Sequence, residues 1–296
     1  MFDSGLGGLT VVRALLDLLP DEHLIYFGDT GRFPYGPKPP DELIKYSHEI
    51  TSLLVAQEVK LVVVGCNSAA AAALSELRAT YDVPLSGVID PGLRAAARAT
   101  RSGRVGVIGT VGTIASGAYQ RAAATIAPGL ALTCAACPGF VEFVEAGDVD
   151  SDQVYVLAER LLAPVQAAGV DTLVLGCTHY PLLARTISEV MGRDVVLVSS
   201  GEETAFEVRA VLDAVGARRH PVSVGDTPNP GPEPATRTFL TSGDPATFAR
   251  LGARFLGPEV ASVEGWQWPA EPAGGRGRGP RPHRDEPPGE EPQAWN

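Results

Sequence analysis

At 296 residues the chain has room for one large or two medium domains, and its net charge of −11 argues against a general nucleic-acid-binding surface. Hydrophobic residues make up 45%, enough for a packed core. No apolar run approaches the roughly 18–20 residues of a membrane span, and no basic-then-apolar leader opens at Met1, so a soluble cytoplasmic protein is expected.

The N-terminus reads as the end of a strand, a turn through Asp3-Ser4-Gly5-Leu6-Gly7-Gly8, and a helix from about Leu9 to Leu19. Only Met1 and Phe2 precede the turn, whereas a strand needs about five residues. The first strand is therefore missing or the start lies upstream, which would leave Asp3 and Ser4 on an unanchored end. The glycines fit neither G-x-G-x-x-G nor a Walker A loop, so a nucleotide-binding reading is weak. Leu24 to Phe27 reads as a strand ending in Gly28-Asp29-Thr30, followed by a Pro34-Tyr35-Gly36 corner and a helix from Asp41 to about Glu58.

Leu61 to Val64 is an apolar strand that delivers Gly65-Cys66-Asn67-Ser68 into an alanine-rich helix, Ala69 to Leu74. Val83 to Ile89 is strand-like, and Leu93 to Ala99 is helical. Arg104 to Ile108 is a strand leading through Gly109-Thr110-Val111-Gly112-Thr113 to a helix reaching about Thr125. Leu130 to Ala135 is strand-like. Phe140 to Ala146 forms a short helix carrying Glu142 and Glu145, and Val154 to Ala168 an amphipathic one.

The Cys66 pattern then recurs. Leu173 to Leu175 is an apolar strand, Gly176 allows a turn, and Cys177 stands before Thr178, which can cap a helix begun by Pro181. Each thiol so placed faces a helix N-terminus, whose N–H groups and dipole favour the thiolate. Two such units, 111 residues apart, suggest a duplicated half with a thiol at each centre. Val195 to Val198 is a strand entering a helix from Ala205 to Val215, with Ser199 to Thr204 as its capped start. Thr236 to Thr241 is strand-like and Pro245 to Leu256 a last helix.

Strand–helix alternation of this kind makes βα units on parallel sheets, with ligands at the carboxyl ends of the strands. Arg218 to Pro234 reads as a polar surface excursion. From Gly265 to Asn296 the chain is rich in Pro, Gly, Arg and Glu, and reads as a disordered tail. Cys134 and Cys137 form a C-x-x-C without a second ligand pair at zinc spacing, so no metal site is expected and a redox role is a weak alternative.

Two thiols facing one cleft suit proton transfer at carbon: one as thiolate removes a proton, and the other as thiol returns one to the opposite face. A free thiol titrates near 8.5, so both states are within reach of neutrality. The carbanion-like charge needs N–H and hydroxyl donors. The chain has three lysines, Lys38, Lys45 and Lys60, and shows no pyridoxal-phosphate lysine motif. No cofactor is expected.

These residues resemble a family, the cofactor-independent glutamate racemases of bacterial cell-wall synthesis. The likeness is carried by Phe2-Asp3-Ser4-Gly5, by Tyr26-Phe27-Gly28-Asp29-Thr30 with Pro34-Tyr35-Gly36, by Cys66-Asn67-Ser68, by Ala136-Cys137-Pro138 with Phe140, Val141 and Glu145, and by Gly176-Cys177-Thr178-His179-Tyr180-Pro181. Ser68 stands where the family has Thr, and Gly139 where it usually has a bulky apolar residue.

The resemblance implies that Cys66 acts on the D-isomer with Asp3 nearby, and Cys177 on the L-isomer with Glu145 and His179 assisting. Ser4, Pro34, Tyr35, Gly36, Asn67, Ser68, Thr110, Thr113 and Thr178 would hold the substrate's amino and carboxylate groups. It implies an α/β fold of two doubly wound parallel-sheet domains related by pseudo-two-fold symmetry, with the active site between them: residues 1–91 plus 199–260 as the first domain and 92–198 as the second. A homodimer is expected. The alternatives are a racemase for aspartate or another amino acid of the superfamily, or a regulatory protein that binds DNA gyrase, a role some glutamate racemases have.

Overall fold

The computed structural model describes residues 1–219 and 234–268, and all its strands and helices fall in one compact unit, Met1–Trp266. Strand β1 (Phe2–Asp3), helix α1 (Leu9–Leu18), β2 (Leu24–Gly28), α2 (Pro40–Val55), β3 (Val62–Val64), α3 (Asn67–Thr80), β4 (Leu85–Gly87) and α4 (Ile89–Ala99) come first. Next are β5 (Arg104–Gly109), α5 (Val111–Ala115), α6 (Ala118–Ile126), β6 (Ala131–Ala136), α7 (Phe140–Ala146), α8 (Asp152–Ala167), β7 (Thr172–Gly176), α9 (Ala184–Met191) and β8 (Val196–Ser199). The chain ends with α10 (Ser200–Ala214), β9 (Arg237–Thr241), α11 (Pro245–Leu256) and β10 (Glu264–Gly265).

The strands form two wholly parallel sheets, ordered β10-β9-β2-β1-β3-β4 and β6-β5-β7-β8. The first four strands of each sheet follow one plan: second, first, third, fourth. Each sheet therefore reverses direction beside its first strand, and there the loops on either side splay apart to leave a crevice. The continuous apolar runs read as strands are buried on both faces. Val62, Val64, Leu173 and Val174 are fully buried, as a sheet covered on both sides requires.

Local chemistry sets the helix ends. Pro40 starts α2, with Asp41 and Glu42 in its first turn. Ser151, Ser199 and Asp244 cap α8, α10 and α11 through their side-chain oxygens.

Several expectations need correction. β1 is only two residues long, yet it is not an unanchored end: Phe2 pairs with Phe27 and Val64, Asp3 pairs with Gly28, and both residues are fully buried. The strand expected to reach Ile89 stops at Gly87, because α4 begins at Ile89 and takes Pro91 into its first turn, where a missing N–H costs nothing. The single helix read as reaching about Thr125 is broken at Gly117, whose φ of 68° interrupts the α geometry between α5 and α6. Gly265, read as the start of the tail, belongs to β10, and the Trp266 amide donates to the Thr241 carbonyl. The remainder of that tail, 269–296, and most of the polar excursion, 220–233, lie outside the described residues.

Candidate active site

The crevices of the two sheets open on one cavity of about 110 Å³. Cys66 reaches it from the end of β3 and Cys177 from the end of β7, each thiol following the third strand of its own sheet. Both are free and almost fully buried. Ser4, Pro34, Tyr35, Gly36, Asn67, Ser68, Thr110, Thr178 and His179 also line the wall. Of the residues named from sequence, only Asp3, Glu145 and Thr113 stand behind it, each touching a residue that lines it.

The two thiols have different neighbours. Cys66 occupies the N-cap position of α3, and its carbonyl accepts from the Ala70 amide at 2.8 Å. Burial and then the charge of Asp3 push the Cys66 thiol up to about 12, while the Ala69 amide and the Ser4 hydroxyl pull the other way. The helix N-terminus favours the thiolate as its sequence suggests, but desolvation wins.

Cys177 is not followed by an α-helix. Thr178 and His179 form an excursion, a 3-10 turn covers Tyr180–Leu183, and α9 starts only at Ala184. Thr178 therefore caps nothing; its hydroxyl donates to Asp3 Oδ2 at 3.2 Å. His179 Nδ1 stands 3.9 Å from Cys177 Sγ, and Nε2 lies 3.0 Å from Glu145 Oε1. Burial opposes protonation of His179, but the hydrogen bonds to Cys177 and Glu145 outweigh it and push the imidazole up to about 10. The ring is confined by Phe33, with centroids 6.0 Å apart, and by the edge of Phe255 at 5.9 Å. The imidazolium so held is the polar neighbour of the Cys177 sulfur.

Asp3 is buried, and burial raises its pKa against the opposing charge of His179 and the amides of Gly5 and Gly8. Its Oδ1 accepts from the Gly5 amide at 2.9 Å. The glycine-rich turn has a steric purpose. A Cβ on Gly7 would lie 2.3 Å from Thr178 Oγ1 and 2.4 Å from His179 Nδ1, so the turn packs directly on the second cysteine's loop and offers no phosphate cradle.

Across the cavity, Ser68, Thr110 and Thr113 join in a triangle of hydroxyls, with separations of 3.0, 3.2 and 2.9 Å. Thr110 also caps α5 through the Thr113 amide. Tyr35 is held from below: its hydroxyl donates to Asp29, which also pairs with Arg32 at 2.7 Å. What the 34–36 corner offers the cavity is therefore its backbone and ring faces, not the phenol. The Gly112 amide donates to the Gly36 carbonyl at 3.1 Å and ties this corner to α5.

This arrangement can do two-sided proton transfer at a carbon held between the sulfurs. Residues 9–207 match the model of the Asp/Glu/hydantoin racemase family. The chain belongs to that family. A glutamate racemase from Parafrankia is 54% identical over 263 residues, covering 89% of this chain and 92% of its own. Among solved structures, a Bacillus anthracis glutamate racemase isoform matches with a TM-score of 0.81 at 37% identity, covering 91% of this chain and 96% of its own. The Francisella tularensis glutamate racemase, solved in complex with D-glutamate, matches with a TM-score of 0.80 at 30% identity over 90% of this chain and 96% of its own.

Beyond the site residues named from sequence, Phe33, Pro37, Val111, Cys137, Pro138, Gly139, Val141 and Glu142 line the cavity of this family member, and Phe33, Pro37 and Val111 carried no signal of it. Cys137 is buried and its thiol is pushed up to about 12 by burial, whereas Cys134 is half-buried within β6. Glu142 was visible as the neighbour of Glu145, one turn away on α7. The two split their tasks: Glu142 faces the cavity and Glu145 holds His179. Among the described residues there is no His/Cys/Asp/Glu cluster fit for a metal and no helix long and apolar enough to cross a membrane.

Proposed function

We propose that the protein interconverts L- and D-glutamate by removing the α-proton with one cysteine and returning a proton to the opposite face with the other. The observation that carries this reading is the pair of buried thiols entering one cavity from the third strands of two sheets of the same order. Cys177, beside the His179 imidazolium, takes the proton from L-glutamate as thiolate. Cys66, kept as thiol by burial, donates to the opposite face and yields D-glutamate. The reverse reaction exchanges the roles.

Glu145 holds His179 in place, and Asp3 lies close to Cys66 and Thr178. The substrate's amino and carboxylate groups meet the amides and hydroxyls of Ser4, the 34–36 corner, Asn67, Ser68, Thr110 and Thr178, with Thr113 backing the last hydroxyls. Such preorganised donors stabilise the carbanion-like state without solvent reorganisation. None of the chain's lysines lines the cavity, which leaves no candidate for a pyridoxal-phosphate Schiff base there.

Sheet membership supports the division into residues 1–91 with 199–260 and 92–198. The same proposal places the enzyme in the cytoplasm as a homodimer, supplying D-glutamate for peptidoglycan. Sedimentation at micromolar concentration tests the dimer. The aspartate reading has no observation in its favour, and a DNA gyrase contact would have to persist when either thiol is removed.

The deciding experiment follows the circular dichroism of D-glutamate and of L-glutamate with the purified protein, no cofactor added and aspartate as control. Decay of the signal to zero from both glutamate enantiomers is the expected result. Decay with aspartate alone, or silence with both from folded protein, overturns it.

A further inference from the structure

Asn67 carries a hydrogen-bonding pattern that its place in the wall does not by itself explain. It is 2% exposed, lines the cavity, and donates from Nδ2 to the hydroxyl of Tyr119 at 3.0 Å. Its Oδ1 is buried and has no hydrogen-bond partner among the described residues. Native interiors rarely leave an acceptor in that condition unless a ligand or water completes it. Tyr119 comes from α6 of the second sheet's half, is 1% exposed, and brings its hydroxyl close to Gly176, the residue before Cys177. The phenol therefore links the Cys66 loop to the Cys177 loop from beneath the cavity.

We infer that Tyr119 is a positioning residue that holds the Asn67 amide with Oδ1 as its free end, so that Oδ1 accepts from the α-ammonium group. The amino-acid reading of the site, on which the inference rests, supplies that donor. The two ends of an amide are opposite in character: the NH₂ only donates and the oxygen only accepts. An α-amino dicarboxylate has one donor group near neutrality, its ammonium, and every other polar atom is an acceptor. In the structure Nδ2 donates to the Tyr119 oxygen and Oδ1 is the free end. Without the hydroxyl, Nδ2 loses its acceptor and the amide is free to turn, presenting N–H groups to a cation.

The test compares ligands with and without the ammonium. D-glutamate, L-glutamate and glutarate, which has both carboxylates and no amine, are titrated calorimetrically into the wild-type protein and Tyr119→Phe, and KM and kcat are measured alongside. Tyr119→Phe should weaken both glutamate enantiomers about 3- to 10-fold, as expected for one hydrogen bond, with the loss in KM rather than kcat. Glutarate should bind as before. Equal weakening of glutarate, or unchanged glutamate binding, overturns the proposal, because a residue that merely shapes the cavity would not distinguish the two. Asn67→Ala should show the same split, and adding Tyr119→Phe to it should cost nothing further. An additional loss in the double variant would also overturn it. Wild-type protein that binds neither glutamate enantiomer would mark a failure of the functional reading itself.

Discussion

The two halves of the molecule share a plan and differ at its centre. Strands β1–β4 and β5–β8 follow the same order, and in each a cysteine leaves the third strand toward the common cavity. Beyond that point the chains part. Cys66 runs straight into α3, has Asp3 as its charged neighbour, and is held as thiol. Cys177 leads into the Thr178-His179 excursion and lies against an imidazolium. Topology gives both thiols a strand-end setting, but their chemistry follows from which side chain packs beside each. On the proposed assignment, Cys177 is the acceptor and Cys66 the donor when the reaction starts from the L-isomer.

The largest effects test whether the halves are really two bases. Replacing either cysteine by Ala should lower racemisation by about 10³-fold or more, because no other group stands ready to replace a positioned acid or base. The comparison is sharpened by proton exchange in D₂O. Cys66→Ala should still exchange the α-proton of L-glutamate without inverting it, whereas Cys177→Ala should exchange D-glutamate more slowly, since its remaining thiol titrates near 12. Faster exchange in Cys177→Ala, read by NMR, would reverse the assignment of the two faces.

Gly7 tests the join between the halves. A Cβ there would intrude on Thr178 and His179 at 2.3 and 2.4 Å, so Gly7→Ala has to move the excursion that carries the second base's partner. A displacement near 1 Å costs about 10²-fold in rate. Racemisation in Gly7→Ala should fall by that order, and the melting temperature should fall too, since overpacking a buried contact costs about 1–3 kcal/mol. Wild-type activity would show that the excursion can shift without consequence.

Next in size is selective alkylation. Near neutral pH iodoacetamide should label Cys177 at least about tenfold faster than Cys66, since the thiolate is the nucleophile. Mass spectrometry of the two peptides gives the ratio directly. The sign for Cys66 follows from its direction: it stays protonated until the pH approaches 12, so its labelling should climb only in the alkaline range. His179→Gln should narrow the ratio from the Cys177 side. Equal labelling in the wild type would remove the asymmetry altogether.

Much of this was legible in the residues, for definite reasons. Apolar runs such as Leu61 to Val64 and Leu173 to Leu175 can be buried only as central parallel strands, and the Gly-Cys pairs fix where each strand ends. Near-sequence chemistry carried the cap at Ser199. What escaped is what tertiary packing decides. Thr178 has the residue type of a helix cap, yet Asp3 arrives from the other half and claims its hydroxyl. Nothing local in Met1-Phe2 shows that β2 and β3 close on both sides of so short a strand. Phe33 and Phe255, from distant parts of the chain, confine His179 and carry no motif. Tyr119 is likewise unmarked, because its partner lies 52 residues away in sequence.

The smallest expected effect belongs to the hydrogen bond that joins the halves most directly, Thr178 Oγ1 to Asp3 Oδ2. Thr178→Val keeps the shape and removes the donor, leaving a buried carboxylate oxygen with one partner fewer. One hydrogen bond contributes about 0.5–1.5 kcal/mol net, so kcat/KM should fall about 3- to 10-fold. Enantiomers have equal free energy, so whatever the variant does to one half, kcat/KM must fall equally from D- and L-glutamate. Only kcat and KM taken singly can reveal which half is injured. If Asp3 serves the Cys66 side, the fall in kcat should be larger starting from D-glutamate. A fall confined to kcat from L-glutamate would place Asp3 with Cys177 instead and redraw the division of labour between the two loops.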